Sequence, residues 1–455
     1  MYQKSKTQQW LNIGEKTQQL YMMILGSGGA GKSMLISAVT ETFAHHDSAS
    51  AKLLALCATT GVATSNIGGR TLHSWAGLRQ SAQSSKWMEK TSEQTKKKWR
   101  KNMKGKNFVI INKISMANKV VFWCMSEIVG EVQAEEGKGD LHTPFGGMHV
   151  IICGDFHQFP PVRNPTSMLY CERPNNSWES ALRCSIYQQF KTVVMLTKQL
   201  QVKDKVWLNI LDCLWIRACT ESDLQEIRKL ILNNQSEVVT NFTKDPWKDA
   251  ILIMPRHAIC DQWNTEAIRK HCLATEQHMY ICSAEDTDRT NDGELSAEVG
   301  FEIAQSTEKQ MGSLHDRTIV AIRMKAMVVL NMATEADIAN GTCGTIYDII
   351  LDPREVPRQG EDSTIILKYP PAAIIFKPNG KCNIQFNGLN TGFVPILPSK
   401  MTFSVTVRNK MYSISQQQLA LTPAYAFTDF KAQAQTIEYV MIDIGQPPSR
   451  SLSPS

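Results

Sequence analysis

The eight residues Gly26, Ser27, Gly28, Gly29, Ala30, Gly31, Lys32 and Ser33 constrain this chain more than any other segment. They fit the spacing G-x-x-x-x-G-K-[ST]. Glycines there let backbone N–H groups turn inward around phosphate oxygens. Lys32 brings a point charge to the terminal phosphates, and the Ser33 hydroxyl is a ligand for Mg2+. The chemistry needs a strand before the loop and a helix after it. Met22 to Leu25 is a short apolar run that stops at the glycines, and helix-compatible residues run from Lys32 to Phe43. Strand, loop, helix is the predicted order. Leu53 to Ala58, Phe108 to Ile111 and Met148 to Cys153 are further short apolar runs that read as buried parallel strands. Val120, Val121, Cys124, Met125 and Ile128 fall at helical spacing between the last two. Alternation of this kind predicts an α/β fold with a parallel sheet covered on both faces.

The chain has 455 residues, enough for two or three domains. No apolar run approaches the roughly 18 residues that cross a bilayer, and Met1 to Gln19 lacks the apolar core of a signal peptide. No membrane partner is expected, and an intracellular location is: nucleus first, mitochondrion second. A net charge of +6 mildly favours a polyanionic partner. The twelve cysteines include no Cys-x-x-Cys pair, so reduced thiols are expected rather than disulfides or a zinc site.

After Pro165 the pattern changes. Val206 to Leu232 reads as helices, Ala250 to Met254 as a strand and His257 to Lys270 as a helix. From about Thr345 to Val407, short strands alternate with Pro, Gly and Asn turns. The predicted division is residues 1–165 as a first domain and 166–344 with 421–445 as a second. A small β-module at 345–420 is inserted in the second, and 446–455 form a disordered Pro/Ser-rich tail.

The later motifs point to a family. Ala58-Thr59-Thr60-Gly61-Val62-Ala63-Thr64 runs on through Arg70-Thr71-Leu72-His73-Ser74. Gly154-Asp155-Phe156-His157-Gln158-Phe159-Pro160-Pro161-Val162 follows, then Pro255-Arg256-His257 with Gln262-Trp263-Asn264. Asn340-Gly341-Thr342-Cys343-Gly344 and Lys431-Ala432-Gln433-Ala434-Gln435-Thr436 complete the set. In this order, from about Leu20 to Ile444, they resemble the Pif1-like ATP-dependent 5′-to-3′ DNA helicases of superfamily 1.

The resemblance implies two RecA-like domains with ATP and Mg2+ between them, and single-stranded DNA or a forked duplex as partner. It also implies a monomeric motor with roles in DNA repair, recombination and telomere maintenance. It assigns Gly26, Gly28, Gly29, Ala30, Gly31, Lys32 and Ser33 to the nucleotide, Ser33 to the metal and Gln158 to the catalytic set. Thr59, Thr60, His73, Ser74, Phe156, Lys431, Gln433 and Thr436 are assigned to DNA. Neutral donors such as Thr59 and Thr60 suit a strand held without reading its sequence. Trp75 and Phe156 have two readings, base stacking and core packing. The densest basic stretch comprises Lys96, Lys97, Lys98, Arg100, Lys101, Lys104 and Lys106 around Trp99. It reads as a DNA-holding patch, as a solvated surface or as a nuclear-localisation signal.

Four departures from the family pattern stand out. The family strand ends in Asp-Glu-Ile-Ser-Met, where the Asp holds Mg2+ and the Glu activates water; here the residues are Asn112-Lys113-Ile114-Ser115-Met116. Gln201 stands where the family has an Arg that reaches across the cleft to the γ-phosphate. Ala434 replaces a Gly, and the family's final motif is expected after Ile444 but does not follow. The adenine-recognising glutamine is not evident, with Gln8 and Gln9 as weak candidates. Three expectations follow: a working ATP-dependent helicase, a hydrolysis-impaired protein that still binds nucleotide and single-stranded DNA, or a truncated product that folds poorly.

Overall fold

The computed structural model describes residues 18–46, 48–78, 91–161, 167–170, 184–232, 240–289, 295–305, 314–333, 338–355, 363–380, 382, 384–408, 410–433, 435 and 437–445. Gln8, Gln9, Val162, Ala434, Thr436 and the expected tail at 446–455 lie outside this set. The chain divides into two compact units, Met1–Val239 and Thr240–Ser455.

The first unit contains, in order, β1 (Tyr21–Gly26), α1 (Lys32–His46), β2 (Leu54–Ala58), α2 (Gly61–Ser65), β3 (Arg70–Thr71) and α3 (Leu72–Ala76). Then come α4 (Glu93–Met103), β4 (Phe108–Asn112), α5 (Lys119–Glu135), β5 (His149–Gly154), β6 (Thr192–Leu196), α6 (Lys205–Trp215) and α7 (Glu221–Lys229). The six strands form one sheet in the order β3-β2-β4-β5-β1-β6. Every pairing in it is parallel. Residues of β4 alternate between its faces, as the period of a strand requires. Val109 and Ile111 join Phe122, Met125, Ile128 and Val129 of α5 on one side. Phe108 and Ile110 join Ile24 and Ile36 on the other. Burial on both faces is why these strands read as unbroken apolar runs.

β6 moves the expected domain boundary. It pairs with β1 from Met22↔Thr192 to Gly26↔Leu196, so residues after 165 return to the first sheet and the first unit extends to Val239.

The second unit holds β7 (Ile251–Met254), α8 (His257–Thr275), β8 (Met279–Ser283), β9 (Glu285–Asp288), α9 (Ala297–Gln305), β10 (Arg317–Val320), β11 (Lys325–Val328) and β12 (Cys343–Ile350). It continues through β13 (Thr364–Leu367), β14 (Ala373–Pro378), β15 (Val394–Ile396), β16 (Ser399–Val407), β17 (Lys410–Gln418), β18 (Leu421–Pro423), β19 (Ala426–Thr428), α10 (Asp429–Ala432) and β20 (Val440–Ile442). A parallel sheet, β19-β7-β20, carries its α/β part. The expected β-module at 345–420 is not self-contained. β12 pairs with β11, β17 with β9 and β13 with β8, so the β-rich region begins near Met279 rather than 345.

Candidate nucleotide site and nucleic-acid surface

Parallel pairing brings the carboxyl ends of β1, β5 and β4 to one edge of the first sheet, where open α/β sheets place their ligands. The glycine loop leaves β1 there. Gly29 and Gly31 adopt φ of 82° and 87°, conformations that only glycine takes without strain. The Ala30 N–H donates to Ser27 O at 3.2 Å, closing a turn. Lys32 Nζ donates to Gly26 O at 2.6 Å and Ser27 O at 2.9 Å, so the ammonium folds back on its own loop. Burial lowers its pKa, while the Asp155 carboxylate opposes the shift.

Asp155 follows β5. Its oxygens accept from the His157 N–H at 3.0 Å and from Gln158 Nε2 at 3.3 Å. A Cβ on Gly28 would lie 3.5 Å from Gln158 Nε2, so Gln158 sits against the loop. Gln201 is there too, with its Cβ 2.9 Å from where a Cβ on Gly29 would stand. It therefore lies in the same unit as the loop, which differs from the expected reach across a cleft. The segment after β6 also supplies Gln199, which sequence reading did not single out. Gln199 Nε2 donates to Gly28 O at 2.6 Å. Nothing in the motif spacing marks it, because only the β1–β6 pairing brings it to the loop.

β4 ends at the same edge. Asn112 is buried, and its Oδ1 accepts from the Lys113 N–H at 2.9 Å. Lys113 takes a left-handed conformation, φ 61° and ψ 44°. Its side chain is buried, and desolvation pushes its pKa down to about 8. Magnesium in nucleotide sites is held by one or two carboxylates together with phosphate oxygens and water. Here the Asn112 oxygen is neutral and already accepts a bond, and the next residue is a cation. These residues do not fit a carboxylate-held Mg2+.

The segment expected to touch DNA caps its own helices. Thr60 caps α2 by accepting from the Ala63 N–H, and Thr71 caps α3 by accepting from the Ser74 N–H. His73 and Ser74 lie exposed on α3. Asn102 of α4 ties this segment down, accepting from Arg70 at 2.9 Å and donating to Trp75 O at 2.9 Å. Trp75 is buried in the core, which decides between its two readings. Phe156 is half-buried against the same core, edge-on to Tyr170 at 5.2 Å and Tyr187 at 5.9 Å. Packing, not an open stacking face, describes it.

The basic stretch divides by face. On α4, Trp99 and Met103 point into the core. Lys96 pairs with Glu131 at 2.6 Å and Arg100 with Glu135 at 2.7 Å. Lys106 donates to Leu54 O at 2.8 Å. Three of the seven cations thus serve the fold, and Lys97, Lys98, Lys101 and Lys104 remain exposed on the outer side.

In the second unit, Asn264 is a buried clamp between α8 and β19. It donates to Ala426 O at 2.9 Å and accepts from the Ala426 and Tyr425 N–H groups. Gln435 donates to Gly341 O at 2.6 Å, joining two of the sequence motifs. Lys431 and Gln433 are half-buried around the end of α10.

A family model described as PIF1-like helicase matches residues 2–208. This chain is similar to PIF1-like helicases along most of its length. It is 25% identical to the ATP-dependent DNA helicase Pif1 of Bdellovibrio bacteriovorus over 426 residues, 93% of this chain and 78% of that protein. It is 29% identical to the ATP-dependent DNA helicase PIF1 of Xenopus laevis over 203 residues, 44% of this chain and 28% of that protein. With the PIF7 helicase of Trypanosoma brucei brucei it shares 24% over 443 residues, 93% of this chain and 41% of that protein. The chain therefore spans less than half the length of these last two family members. A crystal structure of Bacteroides Pif1 bound to ssDNA superposes with a TM-score of 0.61 at 18% identity, covering 93% of this chain and 83% of that one. The Pif1 helicase of Candida albicans gives 0.59 at 19% identity, covering 97% and 87%. The fold is that of these Pif1 structures: α/β, with RecA-like parallel sheets.

Proposed function

We propose that this chain is the motor part of a Pif1-type ATP-dependent DNA helicase, which couples nucleotide turnover in the first unit to 5′-to-3′ movement along single-stranded DNA. The observation that carries the reading is the glycine loop. It is intact in spacing and conformation, and lies on the same sheet edge as Asp155 and Gln158. The family members named above support the activity. One Bacteroides Pif1 crystal structure is in complex with ADP-AlF3 and ssDNA. Another describes unwinding at forked dsDNA by two coordinating Pif1 helicases. Single-stranded DNA and the fork are accordingly the proposed partners of this chain. Among the described residues no helix is long and apolar enough to cross a membrane. A nuclear or mitochondrial site of action, in DNA repair, recombination or telomere maintenance, belongs to the same proposal.

In this reading Lys32 and the loop amides hold the phosphates of ATP. Mg2+ arrives with the nucleotide, held by phosphate oxygens and the Ser33 hydroxyl, without a carboxylate from β4. One observation favours a second reading, in which nucleotide and DNA bind but hydrolysis is impaired: a buried lysine occupies the position of the catalytic carboxylate. The family comparisons add nothing to that reading. An ATPase assay with and without single-stranded DNA, run beside unwinding of a 5′-tailed fork, tests both. The motor reading expects DNA-stimulated turnover that Lys32→Ala abolishes. Tight nucleotide binding with no stimulated turnover selects the second reading, and absence of nucleotide binding removes both.

A further inference from the structure

The carbonyls of Gly26, Ser27, Gly28 and Gly29 in the glycine loop are each engaged. Gly26 O and Ser27 O accept from Lys32 Nζ, and Ser27 O accepts also from the Ala30 N–H. Gly28 O accepts from Gln199 Nε2 at 2.6 Å, and Gly29 O accepts from the Leu200 N–H at 3.1 Å. In a trans peptide the C=O of one residue and the N–H of the next point in opposite directions. Drawing the Gly28 carbonyl toward Gln199 therefore turns the Gly29 N–H away from Gln199.

Gln199 is itself held. Its Oε1 accepts from the Leu200 and Gln201 N–H groups, each at 3.1 Å, which leaves the amide nitrogen to face the loop. The strand before it is anchored in register with the loop's own strand, Gly26 opposite Leu196. Gly29 leaves no room for a side chain, because the Gln199 carboxamide occupies the space that a Cβ would take. A fixed donor thus meets the most conformationally free stretch of the site.

We propose that Gln199 is a positioning residue for the phosphate loop. Its carboxamide orients the Gly28–Gly29 peptide so that the Gly29 N–H faces the anion, and it raises nucleotide affinity without touching the nucleotide. The inference rests on the glycine loop being the nucleotide site.

The experiment is a calorimetric titration of the full chain with ADP and Mg2+. Gln199→Ala weakens binding about two- to tenfold, the range of one neutral hydrogen bond, while single-stranded DNA affinity and thermal midpoint stay at wild-type values. Gln199→Glu provides a readout that a merely structural role would not move. Its carboxylate has no proton to give Gly28 O, so at about pH 8 it binds more weakly than Gln199→Ala. Below its own pKa the carboxyl regains a donor. The ratio of wild-type to Gln199→Glu affinity should then fall toward one between about pH 6 and pH 4, around the ordinary Glu value of about 4.3. Taking the ratio cancels the titration of the nucleotide.

Unchanged or tighter binding by Gln199→Ala overturns the proposal, since the segment would then be idle or an obstruction. A Gln199→Glu ratio that is flat with pH overturns it as well. Lys32→Ala separates this failure from that of the nucleotide reading. If Lys32→Ala binds like wild type, the loop is not the site and both fall. If Lys32→Ala loses binding while the Gln199 variants keep it, only this inference falls.

Discussion

The Thr59 hydroxyl donates to the main-chain carbonyl of Lys113 at 2.9 Å, joining the segment proposed to hold DNA to the end of β4. The bond continues the β2–β4 ladder by one position, beyond the pair Ala58↔Asn112. If the segment holds DNA as proposed, the bond links that strand mechanically to the nucleotide edge.

Thr59→Val should therefore weaken coupling more than binding. Coupling between two sites is reciprocal, so it can be read as the change in single-stranded DNA affinity when a non-hydrolysable ATP analogue is added. One neutral hydrogen bond is worth about 0.5–1.5 kcal/mol, so the coupling factor should fall about two- to tenfold. An unchanged factor would show that the bond only supports the turn.

Lys113 should cost the fold stability. Its ammonium is buried, and desolvation holds its pKa near 8 against about 10.4 in an unfolded chain. Below about pH 8 both states carry the proton, so the native state bears the whole penalty. Between about pH 8 and 10.4 the unfolded chain keeps a proton that the native state has lost, and stability rises with pH. Lys113→Met is expected to stabilise by about 1–3 kcal/mol at pH 7. The advantage should shrink by pH 10, as read from urea denaturation at both pH values. A constant difference would place the ammonium in solvent.

The outer face of α4 should carry the salt dependence. Lys97, Lys101 and Lys104 are exposed at helical spacing, whereas Lys96 and Arg100 are paired to α5. Replacing those three by Gln should lower the slope of log affinity against log salt by about 2, at about 0.7 per lost contact with a single strand. Lys96→Gln should leave the slope alone and act on stability, by less than about 1 kcal/mol. Loss of slope from Lys96→Gln and none from the triple variant would reverse the assignment.

The glycine loop was legible because its information is local: eight residues, one strand before and one helix after. The buried strands were legible because burial on both faces leaves an unbroken apolar run. β6 was not, because its partner lies about 170 positions earlier and its residues are largely exposed at the sheet edge. β9 was hidden by its sequence. Glu285-Asp286-Thr287-Asp288 has little intrinsic strand preference and becomes a strand by pairing with β17. The chemistry at Asn112 and Lys113 was readable as residue types. Burial of Lys113, the occupied Asn112 oxygen and the Gln199 clasp needed the fold.

Repair of the β4 end should raise turnover, but only in combination. Lys113→Glu alone supplies a candidate base yet leaves neutral Asn112 with its oxygen on a backbone N–H. Asn112→Asp alone sets a carboxylate beside a buried ammonium, which competes with a metal for it. The double change Asn112→Asp with Lys113→Glu removes the buried cation and restores both carboxylates. A positioned general base contributes about 10²–10⁴-fold, so DNA-stimulated hydrolysis should rise at least tenfold and become strictly dependent on Mg2+. Gln201→Arg should add to it if the long side chain reaches the developing phosphate charge, because position 201 lies beside Gly29 in the same unit as the loop. Residues that act as one unit are not additive, so the factors should not be multiplied out. Steady-state hydrolysis by wild type, the two single variants, the double and the triple decides the matter. If either single variant matches the double, the two positions do not act together. If wild type already equals the double, another carboxylate at this edge, Asp155 foremost, performs the chemistry, and Asp155→Asn should then abolish turnover.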